Sequence, residues 1–205
     1  QRHPSWPISV FQNQNNYLLG GSTVLAIDQA LRDGVDYLVT LHSDGQADPA
    51  ALVQFYKYCL EDKYDFILGS RLLPSSQVHN YSKLRLWGNY FFCWIKQLIL
   101  KQKVYDLGAY LAFNLKTLKK LPFAHINPNM AYHPNLILIG SQVSPRLFRF
   151  CEFPVSWGGV ESSNINPYKY FLSQLWMLLC IFLKRYSLKK NYLKTMNTKI
   201  IYSNL

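Results

Sequence analysis

The chain predicts an α/β fold on three observations. Short apolar runs at 37–41, 65–69 and Tyr110–Asn114 alternate with longer segments of helical period. A length of 205 residues with 49% apolar content is enough to bury one substantial core. An acid and an amide, Asp44 and Gln46, follow the first apolar run directly, where the carboxyl end of a strand in an α/β sheet binds its ligand.

The elements follow in order. Residues 22–33 place Val24, Ile27 and Leu31 on one helical face and stop at Gly34. A buried strand at 37–41 leads into His42-Ser43-Asp44-Gly45-Gln46-Ala47-Asp48-Pro49, in which Asp48 is a helix cap and Pro49 a first helical residue. The helix that follows, to about residue 62, is expected to bury Leu52, Val53, Tyr56, Cys59 and Leu60. A second buried strand at 65–69 opens into a polar, Pro-containing loop at 70–82, a functional lip of the sheet. Residues 83–101 carry Leu84, Trp87, Phe91, Ile95 and Leu98 at helical spacing, which reads as core. A strand at Tyr110–Asn114, a short basic helix at 115–121 and a strand at 148–156 complete the body. The turn-rich stretch 158–167 separates a body, 1–161, from a tail, 162–205.

Charge is uneven along the chain. The formal net charge is +11, and residues 162–205 hold seven Lys or Arg and no acid. Such a basic end favours phospholipid headgroups or nucleic acid. The apolar run at 171–183, set between Lys169 and Lys184-Arg185, favours lipid, and aromatics that follow core periodicity disfavour nucleic acid. Thirteen residues are too few to span a bilayer, which takes about twenty, so the tail reads as a helix lying on a membrane or packed on the core. Cys59, Cys93, Cys151 and Cys180 lie far apart in apolar surroundings, as reduced core thiols in a cytosolic setting. The first residue is Gln1, with no charged-then-apolar leader, which reads as a processed or truncated piece.

The ordering of the pieces resembles the inverting family 2 glycosyltransferases of the GT-A nucleotide-sugar type, and within them the dolichyl-phosphate mannosyltransferase-like branch. The resemblance runs through Gly20-Gly21, the strand and turn at 37–49, Gly69-Ser70-Arg71, Arg85 with Gly88-Asn89, Asp106 with Gly108, and Glu152-Phe153-Pro154-Val155 before Ser162-Ser163. It implies a Rossmann-like mixed sheet, a catalytic domain over 1–161 and a C-terminal apolar and basic helical tail. Two departures stand out. His42 occupies the place of the first acid of the family's Asp-x-Asp motif, and no Asp-Asp-Gly-Ser-type base-binding loop precedes Gln12, so the domain reads as amino-terminally incomplete.

What the resemblance implies is transfer of a sugar from a nucleotide-diphosphate donor to a polyprenyl-phosphate or glycan acceptor in cell-envelope or lipid-linked glycan synthesis. The protein would sit peripherally on the cytoplasmic face of an anionic membrane and bind no nucleic acid. Asp44 and Gln46 are the candidate ligands for Mg²⁺ or Mn²⁺, because their oxygens converge on a turning backbone. His42 is a candidate substrate-binding residue, as donor to the ribose or partner of the diphosphate. Arg71 and Arg85 are candidate phosphate cations, since a guanidinium grips phosphate oxygens in a planar fork. Asp106 is the candidate general base for a hydroxyl acceptor; with a phosphate acceptor, already ionised, it would orient an arginine or cap a turn. The contrasting expectation is a degenerate, membrane-associated binding protein that kept the fold and lost the acid at position 42.

Overall fold

A computed structural model describes residues 8–42, 44–80, 82–108, 110–144, 148–158 and 167–203. The expected boundary at 158–167 and the Ser162-Ser163 pair fall largely or wholly outside them.

The sheet is built from β2 (Tyr37–Val39), β3 (Phe66–Ser70), β5 (Tyr110–Asn114) and β6 (Phe150–Pro154), in the spatial order β2-β5-β3-β6. β5 runs antiparallel to both β2 and β3, with Leu38 opposite Phe113 and Ile67 opposite Ala112, whereas β3 and β6 are parallel. This is the mixed sheet of the GT-A type. Because β2, β3 and β6 point the same way, their carboxyl ends and the start of β5 lie along one edge.

Helices cover both faces. Alternation in β3 sends Phe66 and Leu68 to one face and Ile67 to the other. The first face meets α1 (Leu18–Arg32), α3 (Lys83–Leu100), α5 (Tyr132–Val143) and α6 (Pro167–Phe182) through Val24, Ile27, Phe92, Leu136, Leu178 and Ile181. The second meets α2 (Ala51–Leu60) through Phe55, clasped between Tyr110 and Phe153 with ring centroids 4.6 and 4.8 Å away. Where α1 ends, Gly34 takes φ +70° and the Val35 N–H reaches back to the Ala30 carbonyl, a left-handed stop that glycine adopts without strain.

Several expectations are corrected in detail. α2 turns Phe55, not Leu52, Val53, Tyr56 and Leu60, toward the sheet, and those four are exposed. The segment is apolar on two sides, so its periodicity could not select the side that the Tyr110 and Phe153 rings grip. α3 likewise buries Phe92, Cys93 and Leu100 while Leu84, Trp87 and Leu98 face outward. Part of the lip at 70–82 is ordered as β4 (Gln77–His79), parallel to β7 (Ser156–Gly158). α5 had no amphipathic signature because nearly all of it, from Tyr132 through Gly140, is buried. α4 (Leu115–Leu118) is shorter than expected. The tail is α-helical through α6 and has one short 3-10 turn at Leu193–Thr195 among the described residues. It then passes Tyr186, Leu188 and Leu193 over the core and closes as β8 (Thr198–Ser203), antiparallel to β1 (Ser9–Asn13).

Candidate active site

The shared carboxyl edge of β2, β3 and β6 collects most of the residues singled out from the sequence. Beyond β2, the Asp44 carboxylate accepts the Gln46 N–H at 3.0 Å, closing a side-chain turn in which Gly45 takes φ +73°. Asp48 accepts the Ala50 N–H at 2.9 Å in the turn before α2, but the N-cap of the helix is Ala50, without a side-chain cap bond, so Asp48 and Pro49 precede the helix they were expected to open. The turn is pinned to β7: Gly158 N–H donates to the Gln46 carbonyl at 2.8 Å, and Ala47 pairs with Trp157 as an isolated bridge.

Trp157 is the hub that sequence reasoning missed. The His42 imidazole meets its indole edge to face, with centroids 6.0 Å apart, and the Arg71 guanidinium lies over the ring at 5.1 Å. The only available signal was an aromatic at a strand end beside Gly158-Gly159, too common a pattern to single out. His42 Nε2 is buried and has no hydrogen-bond partner among the described residues. A buried polar atom of this kind is one that a ligand would satisfy.

Arg71 leaves β3 and meets Asp106 in a two-pronged pair, Nε to Oδ2 at 2.7 Å and Nη2 to Oδ1 at 3.1 Å, while its own backbone N–H also donates to Oδ2. Both side chains are largely buried. Burial opposes charge on Asp106, yet the Arg71 guanidinium and its N–H donations outweigh it and hold the carboxyl below the usual range. A carboxylate this occupied acts as the orienter of Arg71 rather than as an open base. Glu152 supports it from beneath, accepting the Tyr105 N–H at 3.0 Å and the Asp106 N–H at 2.8 Å. Burial raises the Glu152 carboxyl, and those donors partly offset the effect. Lys96 of α3 faces the same pair; burial lowers its ammonium, with the Asp106 charge opposing.

Arg85 is not drawn into this group by any bond of its side chain among the described residues. It stands exposed in the first turn of α3, its backbone N–H on the Ser82 cap. At the opposite edge of the sheet a cavity of 190 Å³ is bounded by Asp65, Asn114, Lys116 and Arg149. There Asp65 takes the Arg149 N–H and the Thr117 hydroxyl, which ties the start of β3 to β6 and α4.

No group of three or more His, Cys, Asp or Glu side chains among the described residues makes a ready cation cage. Asp44 is exposed, one of its oxygens engaged by the turn. The donor set therefore fits a hard cation that arrives with phosphate and keeps most of its other ligands, as Mg²⁺ does, and does not fit a resident all-protein site.

The mixed sheet, with an acidic turn and a paired arginine at its carboxyl edge, is consistent with the GT-A type. The family described as glycosyl transferase family 2 matches residues 1–121, more than half of the chain, and the chain belongs to that family. It is also similar to a UDP-N-acetylglucosamine–dolichyl-phosphate N-acetylglucosaminyltransferase of Methanococcus voltae, 26% identical over 115 residues. That alignment covers 56% of this chain and 46% of the relative, so the chain spans about half the length of the curated protein it matches.

Proposed function

We propose that the protein is an inverting hexosyltransferase that moves a sugar from a nucleotide diphosphate onto polyprenyl phosphate at the cytoplasmic face of a membrane. One observation carries this reading: the acidic turn rests on the strand of Trp157, and the same indole meets His42 at its edge and Arg71 at its face. The acidic turn and an arginine suited to phosphate thereby adjoin the same strand end, which supports a site for a phosphorylated donor there. The similarity to a dolichyl-phosphate transferase supports a lipid-linked phosphate acceptor over a glycan.

Roles follow from chemistry. Asp44 and the Gln46 side-chain oxygen would hold Mg²⁺ or Mn²⁺ together with the donor phosphates, and the bound cation supplies neutralisation of the leaving diphosphate. His42, with its buried nitrogen unspent, donates to or accepts from the donor. Arg71 grips a phosphate in a geometry that Asp106 and Trp157 fix before substrate arrives, which spares reorganisation in the transition state. Arg85 approaches from the exposed end of α3 once an acceptor is present. An acceptor phosphate is already ionised at neutral pH, so no base is needed and Asp106 remains a positioning residue.

The test is calorimetric titration of the protein with a nucleotide sugar in Mn²⁺, followed by transfer to a short-chain polyprenyl phosphate. Asp44→Ala should abolish cation-dependent donor binding while the unfolding midpoint stays unchanged. Equal heats for both proteins would remove the turn from the site. Donor binding without any transfer would instead select the degenerate binding protein, the reading favoured by Asp44 standing without a second acid at position 42.

A further inference from the structure

Two helices of the first sheet face carry exposed apolar surface: α3, whose spacing was expected to be core, and α6, for which a membrane or the core was expected. On α3, Leu84 is 77% exposed, Trp87 65% and Trp94 58%; on α6, Leu172 is 64% exposed, Trp176 68% and Phe182 62%. With the exposed Tyr90 and Leu98 on α3, and Leu175 and Leu179 on α6, exposed apolar residues recur every three or four positions, so each helix carries a stripe along its length. The helices are packed side by side. Phe91 of α3 stacks on Phe171 of α6 with centroids 6.0 Å apart and planes 19° from parallel, and Trp87 stacks in turn on Phe91 at 5.9 Å. Since Phe92, Leu178 and Ile181 send the opposite sides of both helices into one core, the outward stripes make a continuous face. A monomer in water seldom exposes a contiguous apolar surface of that kind.

We infer that this α3–α6 face is one in-plane docking surface for an anionic lipid bilayer. Charge selects the occupant. Neither helix contains an acidic residue, and cations rim both: exposed Lys83, Arg85 and Lys101 around α3, and exposed Lys184 and Arg185 after α6. Tryptophan among aliphatic side chains with a lysine and arginine rim is the composition of a helix seated at headgroup level. No helix among the described residues is long and apolar enough to cross a membrane, so the face lies on the bilayer and does not span it. This extends the expectation of a docking tail. The surface belongs equally to a body helix, α3, while the chain beyond residue 185 folds back over the core and contributes β8 to β1. It also sets Arg85, in the first turn of α3, at the level of lipid phosphates. The inference supplies the membrane of the proposed function but depends on different residues.

The experiment is co-sedimentation of the 205-residue chain with phosphatidylcholine vesicles, with and without phosphatidylglycerol, and quenching of its tryptophan emission by brominated phosphatidylcholine. Trp87→Gln with Trp94→Gln, and separately Leu172→Gln with Trp176→Gln, should each lower partitioning onto anionic vesicles by about tenfold or more. Val53→Gln with Tyr56→Gln, exposed apolar sites of α2 on the other sheet face, should leave it unchanged. Brominated lipid should quench the unsubstituted chain, which makes the result independent of how any variant folds. Unchanged partitioning in the α3 pair, an equal loss in the α2 pair, or absence of quenching would overturn the inference. So would a lipid-free dimer that either helix pair dissociates, since a second copy would then cover the face. Donor titration without vesicles reads the proposed function separately, so either can fail alone.

Discussion

Asp106 shows how one residue acquires its role from its surroundings. An acid late in an α/β body can be a base, a cap or an orienter, and the choice is made here by Arg71, whose fork engages both carboxylate oxygens. Removing one member leaves the other largely buried and uncompensated. Asp106→Ala is therefore expected to destabilise the fold by roughly 3 kcal/mol, read from urea unfolding, and to lower turnover through misplacement of Arg71. Arg71→Lys keeps the charge and loses the fork, so it should lower turnover with a smaller loss of stability. His133 makes a second prediction. Burial, with the neighbouring His42, pushes its pKa down to about 4, and its Nε2 shares a buried hydrogen bond with Thr23 Oγ1 at 3.0 Å. The unfolded value is about 6.5, so between the two the unfolded chain binds more protons. The contribution of neutral His133 is fully present above about pH 6.5 and is lost as pH falls toward 4, by about 3 kcal/mol. Unfolding free energies at pH 7 and pH 4.5 should diverge less in His133→Gln than in the unsubstituted chain.

At the scale of elements, glycines separate contact from propensity. A β-carbon on Gly20, in the first turn of α1, would overlap the Pro128 carbonyl carbon and the Asn129 carbonyl oxygen, which are backbone and cannot swing away. Gly88 in α3 has open space instead. Gly20→Ala should thus lower stability by about 1–3 kcal/mol as α1 is pushed off that loop. Gly88→Ala should raise it by about 0.5–1 kcal/mol through helix propensity alone. Chemical denaturation of both variants checks the opposite signs.

For the whole molecule, the C-terminal fifth packs with the body in mechanical terms. α6 supplies Leu178 and Ile181 to the core beneath α3, and β8 completes the only sheet in which β1 is paired among the described residues. A chain ending at Asn166 should accordingly melt at a lower temperature, by several degrees or more, because core side chains are stripped along with the basic segment. Membrane binding is best tested with substitutions of exposed side chains, which leave that core intact.

The sequence by itself determined the class of fold, the acidic turn beyond β2, the positions of β3 and β5 and the extent of α3. These are local: an apolar run bounded by turn residues, or a short polar side chain facing its own backbone, carries its structure with it. It could not choose the inward sides of α2 and α3, because both helices are apolar on two sides and only the rings and strands they meet decide between them. It could not show α5, which is buried nearly all round and so has no periodicity to read. Nor could it find Trp157, whose role arises where three parallel strand ends and a neighbouring loop come together from positions 42, 71, 106 and 157. Tertiary structure alone makes those residues neighbours, since the sheet order β2-β5-β3-β6 brings distant strand ends to one edge.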